Sequence, residues 1–236
     1  MELRRKRKID IKRVIGAFLF VTLILSIVYI IIKMIIAPTE AANDVTKVKS
    51  DYVLMLLQCV LGIFVMMIPS FVEKKKAIDI PDPIEIIYFI FLYCAIYLGE
   101  VHNFYYLIPY WDSILHAFSG AVLGVLGIIL VRFLNEGELV DIQLNPFFIS
   151  FFAFCFAVAA GTIWEIYEFL ADGMLSLNMQ KFILVDGTQL IGREALYDTM
   201  MDLILDTVSA LIISLIAYPI LKKQTVQHNT NSSKIS

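Results

Sequence analysis

Ten polar side chains stand out by their type and spacing. Asp112 and His116 are four residues apart, Glu165 and Glu168 three apart, and Asp198, Asp202 and Asp206 continue at steps of four. Glu100 and His102 form a further acid–imidazole pair, and Arg193 precedes the aspartate series. Each helical spacing puts its residues on one face of a helix. Carboxylates with one imidazole make an oxygen-rich donor set that suits Mg²⁺, Mn²⁺ or Ca²⁺, and Zn²⁺ if His116 and His102 both ligate. A carboxylate left off the ion, such as Glu168, is placed to act as a general base. No nucleophile motif, phosphate loop or phosphatase signature accompanies them.

The elements that position these groups are apolar. The 236 residues are 59% hydrophobic, with a mean hydropathy of +0.79. A soluble fold of this length cannot bury that much apolar surface, whereas a bilayer solvates it. The net charge of −3 and the lack of a basic groove motif argue against nucleic acid as a partner. Cys59, Cys94 and Cys155 lie inside apolar runs and read as small hydrophobes. Six runs are long enough to cross a membrane: 14–36, 52–72, 83–100, 111–132, 146–170 and 195–221. The expected fold is an all-α polytopic bundle, a single domain over 1–221 with a disordered tail over 222–236.

The first run follows Arg4, Arg5, Lys6, Arg7 and Lys8 but is too long for a signal peptide's apolar core, so it reads as an uncleaved anchor. Lysine and arginine then set the orientation. With the N-terminus inside, Arg4 to Lys8, Lys12, Arg13, Lys74 to Lys76, Arg132, Lys222, Lys223 and Lys234 are cytoplasmic. The outer side keeps only Lys47, Lys49, Lys181 and Arg193, while Lys33 snorkels. Both termini are expected in the cytoplasm of a bacterial cell. Phe104, Tyr105, Tyr106, Tyr110 and Trp111 form an outer aromatic belt. The longest outer loop, 172–194, carries Asp186-Gly187 and suits a short hairpin or a surface helix.

In that topology every polar set reaches the outer leaflet. Spans three and five end there, and spans four and six begin there. The face of span four continues through Gly120, Gly124 and Gly127, a small-residue stripe that admits a close neighbour, so the charges point into the bundle. Seven carboxylates then face Arg193 as the one nearby fixed cation, with two histidines. Like charges at low dielectric need protons or a bound cation. Plainer roles compete at some positions. Glu100 and Asp172 suit interfacial helix caps, Asp198 suits a helix N-terminus, and His102 suits a wetted loop. His116, Glu165, Asp202 and Asp206 lie deeper, where ionisable residues are costly and functional by default.

A short echo links Trp111-Asp112-Ser113-Ile114-Leu115-His116 with Tyr197-Asp198-Thr199-Met200-Met201-Asp202 and suits duplicated hairpins, spans 3–4 and 5–6. Two family resemblances attach to these residues. Gly99-Glu100, Phe104-Tyr105, Pro109-Tyr110-Trp111-Asp112, His116, Ser119-Gly120, Trp164-Glu165, Glu168, Tyr197-Asp198-Thr199 and Asp202-Leu203 resemble the YjdF-like bacterial inner-membrane proteins, a family with no assigned activity. Asp112 and His116, then Glu165 or Glu168, then Arg193, Asp198 and Asp202 more loosely resemble VanZ-like proteins. Those carry Asn where this chain has Asp202 and lysine where it has Ser113. The VanZ resemblance implies a role at the outer envelope, where lipid-anchored glycopeptide antibiotics act.

The reading that joins these observations is an enzyme-like site. Asp112, His116, Glu165 and Asp202 hold a divalent ion (Mg, Mn or Zn). Glu168, Asp198 and Arg193 serve the chemistry, with Glu100, His102 and Asp206 as further polar groups. The substrate is a phospholipid or polyprenyl-linked head group. A proton- or cation-coupled transporter and a non-catalytic envelope scaffold are the competing readings.

Overall fold

A computed structural model describes residues 10–38, 49–76, 80–136, 144–184 and 187–232. Arg4 to Lys8, Lys47, Asp186 and Lys234, used above for orientation and for the loop, lie outside the described residues. The fold is helical: α1 (Ile11–Ile36), α2 (Lys49–Met66), α3 (Ile68–Lys76), α4 (Asp82–Leu92), a π-helical segment (Tyr93–Val101), α5 (Phe104–Leu107), α6 (Trp111–Glu136), α7 (Pro146–Leu175) and α8 (Tyr197–Ser232). Six stretches are long and apolar enough to span a membrane: Ile11–Ile36, Asp51–Lys74, Asp82–Val101, Trp111–Arg132, Pro146–Leu175 and Tyr197–Gln227. The protein is therefore a polytopic helical bundle, as the sequence predicts.

Three expectations are corrected. The fifth span runs on through Gly173 to Leu175, where Ser176 supplies the left-handed cap at φ 54°. The tail expected to be disordered continues α8 as far as Ser232. After Pro219 that stretch contains neither glycine nor proline to stop the helix. The single expected domain is two compact units, Met1–Trp111 and Asp112–Ser236.

The first unit packs α1, α2, α4 and the π-helical segment around Leu19, Leu23, Ile30, Met55, Cys59, Met66, Phe89, Leu92 and Ile96. Span two breaks at Met67, since Pro69 in the first turn of α3 has no N–H to continue the ladder of α2. Lys12 ties α1 to α4 by pairing with Asp82 at 2.8 Å and with the buried carboxylate of Glu85. The π-helical turn closes with His102 N–H donating to the Tyr97 carbonyl at 3.0 Å. Asn103 then turns the chain back at φ 62°. Gly99 lets Tyr105 pack close there: a Cβ would stand 2.5 Å from its ring, which would have to move.

The second unit is α6, α7 and α8. Its helices approach at glycine. A Cβ on Gly127 would lie 2.8 Å from Ala153 Cα, and one on Gly120 would lie 2.8 Å from Asp206 Cα. Val131, Ile149 and Leu221 close the end of the unit away from the acids. Asn145 caps α7 by accepting the Phe148 N–H at 2.7 Å, with Pro146 in the first turn. Outward faces of both units remain apolar, as at Leu25, Ile163 and Leu215. That is the pattern of helices solvated by lipid.

Candidate metal centre

The acids of the second unit meet at one end of its three helices. Asp112, His116 and Ser119 come from the first turns of α6. Glu165 and Glu168 come from the second half of α7, and Asp198, Asp202 and Asp206 from the start of α8. Antiparallel neighbours put the end of α7 beside the starts of α6 and α8. Close approach is what brings the side chains together. At Gly161 a Cβ would be 2.5 Å from Asp206 Oδ2, so only glycine leaves room for that carboxylate against α7.

His116 is the centre of the arrangement. Its Nε2 lies 3.9 Å from Asp112 Oδ1, 3.9 Å from Glu165 Oε1 and 3.8 Å from Asp202 Oδ2. Asp112, His116 and Asp202 each present a ligand atom, all within 4.8 Å of one another. The opposite ring nitrogen, Nδ1, meets Asp206 Oδ2 at 3.3 Å, and Ser119 Oγ donates to Asp206 Oδ1 at 3.0 Å. With its proton on Nδ1, the imidazole turns the Nε2 lone pair toward three carboxylate oxygens. Such a grouping needs a positive charge at its middle. A carboxylate on the far nitrogen of a ligating histidine is the usual support of a metal-bound imidazole.

Glu165 points the same way. It is only 4% exposed, yet neither carboxylate oxygen has a hydrogen-bond partner. An isolated buried carboxylate is costly unless a cation or proton satisfies it. One nitrogen and three oxygens match a site for Mn²⁺, Mg²⁺ or Zn²⁺. The donor set therefore fits a divalent ion.

The remaining residues divide into supports and neighbours. Glu168 is buried and accepts the Trp164 indole N–H at 2.9 Å, which fixes the carboxylate's orientation. Asp172 is an internal cap rather than a ligand, accepting the backbone N–H groups of Met179 at 2.7 Å and Gln180 at 2.9 Å. Asp198 is partly exposed and pairs with Lys181 at 3.4 Å. Arg193 lies exposed in the loop. The cation that pairs with the cluster is Lys181, whose ammonium meets both Asp112 and Asp198. Burial opposes its charge, but those two carboxylates outweigh burial and hold its pKa above the ordinary lysine value.

Glu100 and His102 belong to the first unit. Glu100 ends the π-helical segment, and His102 is an exposed cap with its ring edge-on to Tyr97 at 4.5 Å.

Sequence reading missed Lys181, Ser119 and Trp164 as parts of the site. The loop that carries Lys181, for which a short hairpin or a surface helix was expected, has an isolated antiparallel bridge between Ile183 and Gln189. A cluster of acids this dense calls for a counter-charge, and Lys181 is a lysine in the loop joining two of its helices. That was the available signal.

These features define a class: a polytopic helical membrane protein with a buried carboxylate–imidazole centre. The chain belongs to the DUF2238 family, described as a predicted membrane protein, which it matches over residues 15–223. That stretch contains every residue of the centre. The chain is also similar to a protein of Thermotoga maritima named "Uncharacterized protein", at 28% identity over 155 residues, or 64% of this chain and 69% of that one. No solved structure matches.

Proposed function

We propose that the second unit is a divalent-cation-dependent intramembrane hydrolase or transferase acting on a lipid or lipid-linked head group. The observation that carries this reading is the pairing around His116. Three carboxylates surround Nε2 while Asp206 holds Nδ1. When bound, a divalent ion supplies Lewis acidity. Asp112, His116, Glu165 and Asp202 hold it. Asp206 and Ser119 orient the imidazole. Glu168, set by Trp164, is the proton acceptor, with Asp198 at the mouth. Lys181 takes the cationic part first given to Arg193.

The lysine and arginine distribution supports a bacterial cytoplasmic membrane with both termini inside, which sets the centre in the outer leaflet. A lipid-directed site there receives its substrate laterally. The VanZ-like resemblance is in keeping with an envelope role. In intact cells, a cysteine at Asn178 is expected to react with an impermeant maleimide, and one at Ser232 is not. Labelling at Ser232 reverses the orientation.

The test of function pairs binding with flux. Mn²⁺, Mg²⁺ or Zn²⁺ is expected to raise the thermal stability of purified protein saturably, since a ligand specific to the folded state stabilises it. Proteoliposomes are expected to pass neither protons nor these ions. Residues 122–131, 147–160 and 208–221 carry no charged side chain to replace an ion's hydration. Flux abolished by Asp206→Asn makes the protein a transporter instead. No metal-dependent stabilisation leaves the cluster as a scaffold.

A further inference from the structure

We infer that Lys181 and the ion position beside it form a two-cation cradle for the phosphate of a phosphoester head group. This rests on the metal reading above and adds the substrate's recognised group. Asp112 divides its two oxygens. Oδ1 faces His116 Nε2 at 3.9 Å, and Oδ2 takes the Lys181 ammonium. A single carboxylate thus separates the ion position from a fixed positive charge. Two positive centres across one carboxylate are the arrangement that clamps a transferring phosphoryl group from two sides. Lysine serves such sites as a point charge.

The placement of Lys181 is built with care for position. Its backbone sits in the left-handed region at φ 50°, a conformation that non-glycine residues adopt at a cost. Three contacts impose it. Asp172 holds the N–H groups of Met179 and Gln180, Asn178 exchanges two hydrogen bonds with Ile183, and Gln180 Nε2 donates to Thr199 Oγ1 at 2.8 Å. A lysine needed only for neutralisation has no use for such a frame. The side chain remains 22% exposed.

Local contacts set the order. Among the described residues, Lys181 is the one cation that meets Asp112 and Asp198, so without a divalent ion a phosphate at this place has a single positive contact among surrounding carboxylates. With Asp112, His116, Glu165 and Asp202 engaged by an ion, it would have a second. A cationic head group would meet two like charges. Trp164, Leu196 and Tyr197 expose apolar surface beside Glu168 and Asp198, which suits acyl chains next to a polar head.

The experiment uses full-length protein in nanodiscs of neutral lipid. Mn²⁺ affinity is measured first. Inorganic phosphate and dihexanoyl phosphatidic acid are then titrated with and without Mn²⁺. The wild type is expected to bind phosphate only when Mn²⁺ is present. Lys181→Met is expected to retain Mn²⁺ binding and, at saturating Mn²⁺, to lose phosphate affinity at least tenfold; Lys181→Arg, which keeps the charge, retains most of it. Response to both probes assigns the bare phosphate as the recognised group, and response to the phosphatidate alone assigns the lipid ester; each supports the cradle. Equal phosphate binding by wild type and Lys181→Met overturns it, as does phosphate binding without Mn²⁺. Mn²⁺ binding with no response to either probe also overturns it and leaves the metal reading intact. Absence of Mn²⁺ binding in the wild type overturns both.

Discussion

His116→Ala and Asp202→Ala are each expected to lower divalent-ion affinity by at least 100-fold, read as loss of stoichiometric metal from protein purified in the presence of Mn²⁺. The reason is geometric. His116 is the one nitrogen donor of the group, and its Nε2 is the point about which the three carboxylates are arranged. Removing it leaves mutually repelling carboxylates with no fixed apex. Removing Asp202 takes away a buried ligand on α8 and the contact of that helix with Nε2, leaving Asp206 on Nδ1. Asp206→Asn should act more mildly, weakening the ion about 10–100-fold, as loss of an outer partner of a ligating histidine does. The graded order, with ligands above the orienting carboxylate, separates a metal centre from a polar scaffold. A scaffold predicts no metal in any of the four proteins, and equal occupancy in wild type and His116→Ala would falsify the centre.

The second large effect concerns packing. Gly120→Ala is expected to destabilise the protein by about 1–3 kcal/mol, the usual cost of overpacking, and to lower metal affinity at the same time. A Cβ at Gly120 would stand 2.6 Å from the Asp206 carbonyl oxygen and 2.8 Å from its Cα. Those are backbone atoms and cannot swing aside. Helix α6 must back away from α8, and His116, one turn earlier on α6, then draws off Asp206 and Asp202. Gly124→Ala is the matched control. Its Cβ meets the Cγ2 methyl of Ile213 at 3.2 Å, and the nearest backbone atom, Ala210 Cα, is at 3.7 Å, an ordinary contact distance. Gly173→Ala is the second control, with nothing within 4 Å, and should be neutral or slightly stabilising through helix propensity. Thermal melts together with Mn²⁺ titration check all three. Equal melting temperatures for Gly120→Ala and Gly173→Ala would show that α6 and α8 are not locked at this contact.

The sequence by itself determined the class, the six spans and which residues could meet. These are local or periodic properties. Bilayer thickness sets the length of an apolar run. Helical repeat fixes Asp198, Asp202 and Asp206 to one face. The glycine stripe on span four announces a close neighbour, and Gly120 and Gly124 do face α8. Asp112, His116, Glu165 and Asp202 were legible as partners because antiparallel spans must bring alternate ends together.

Only the tertiary structure decided the roles within that set. Periodicity does not say which nitrogen of His116 faces which acid, so Asp206 emerges as the orienting carboxylate and Glu165 as the unsatisfied one. Loop paths carry no repeat to read. That is why Lys181, held over the site by Asp172 and Asn178, displaced Arg193 as the cation of the cluster. The division into two units depends on how spans pack on one another, a property that hydropathy along the chain does not contain.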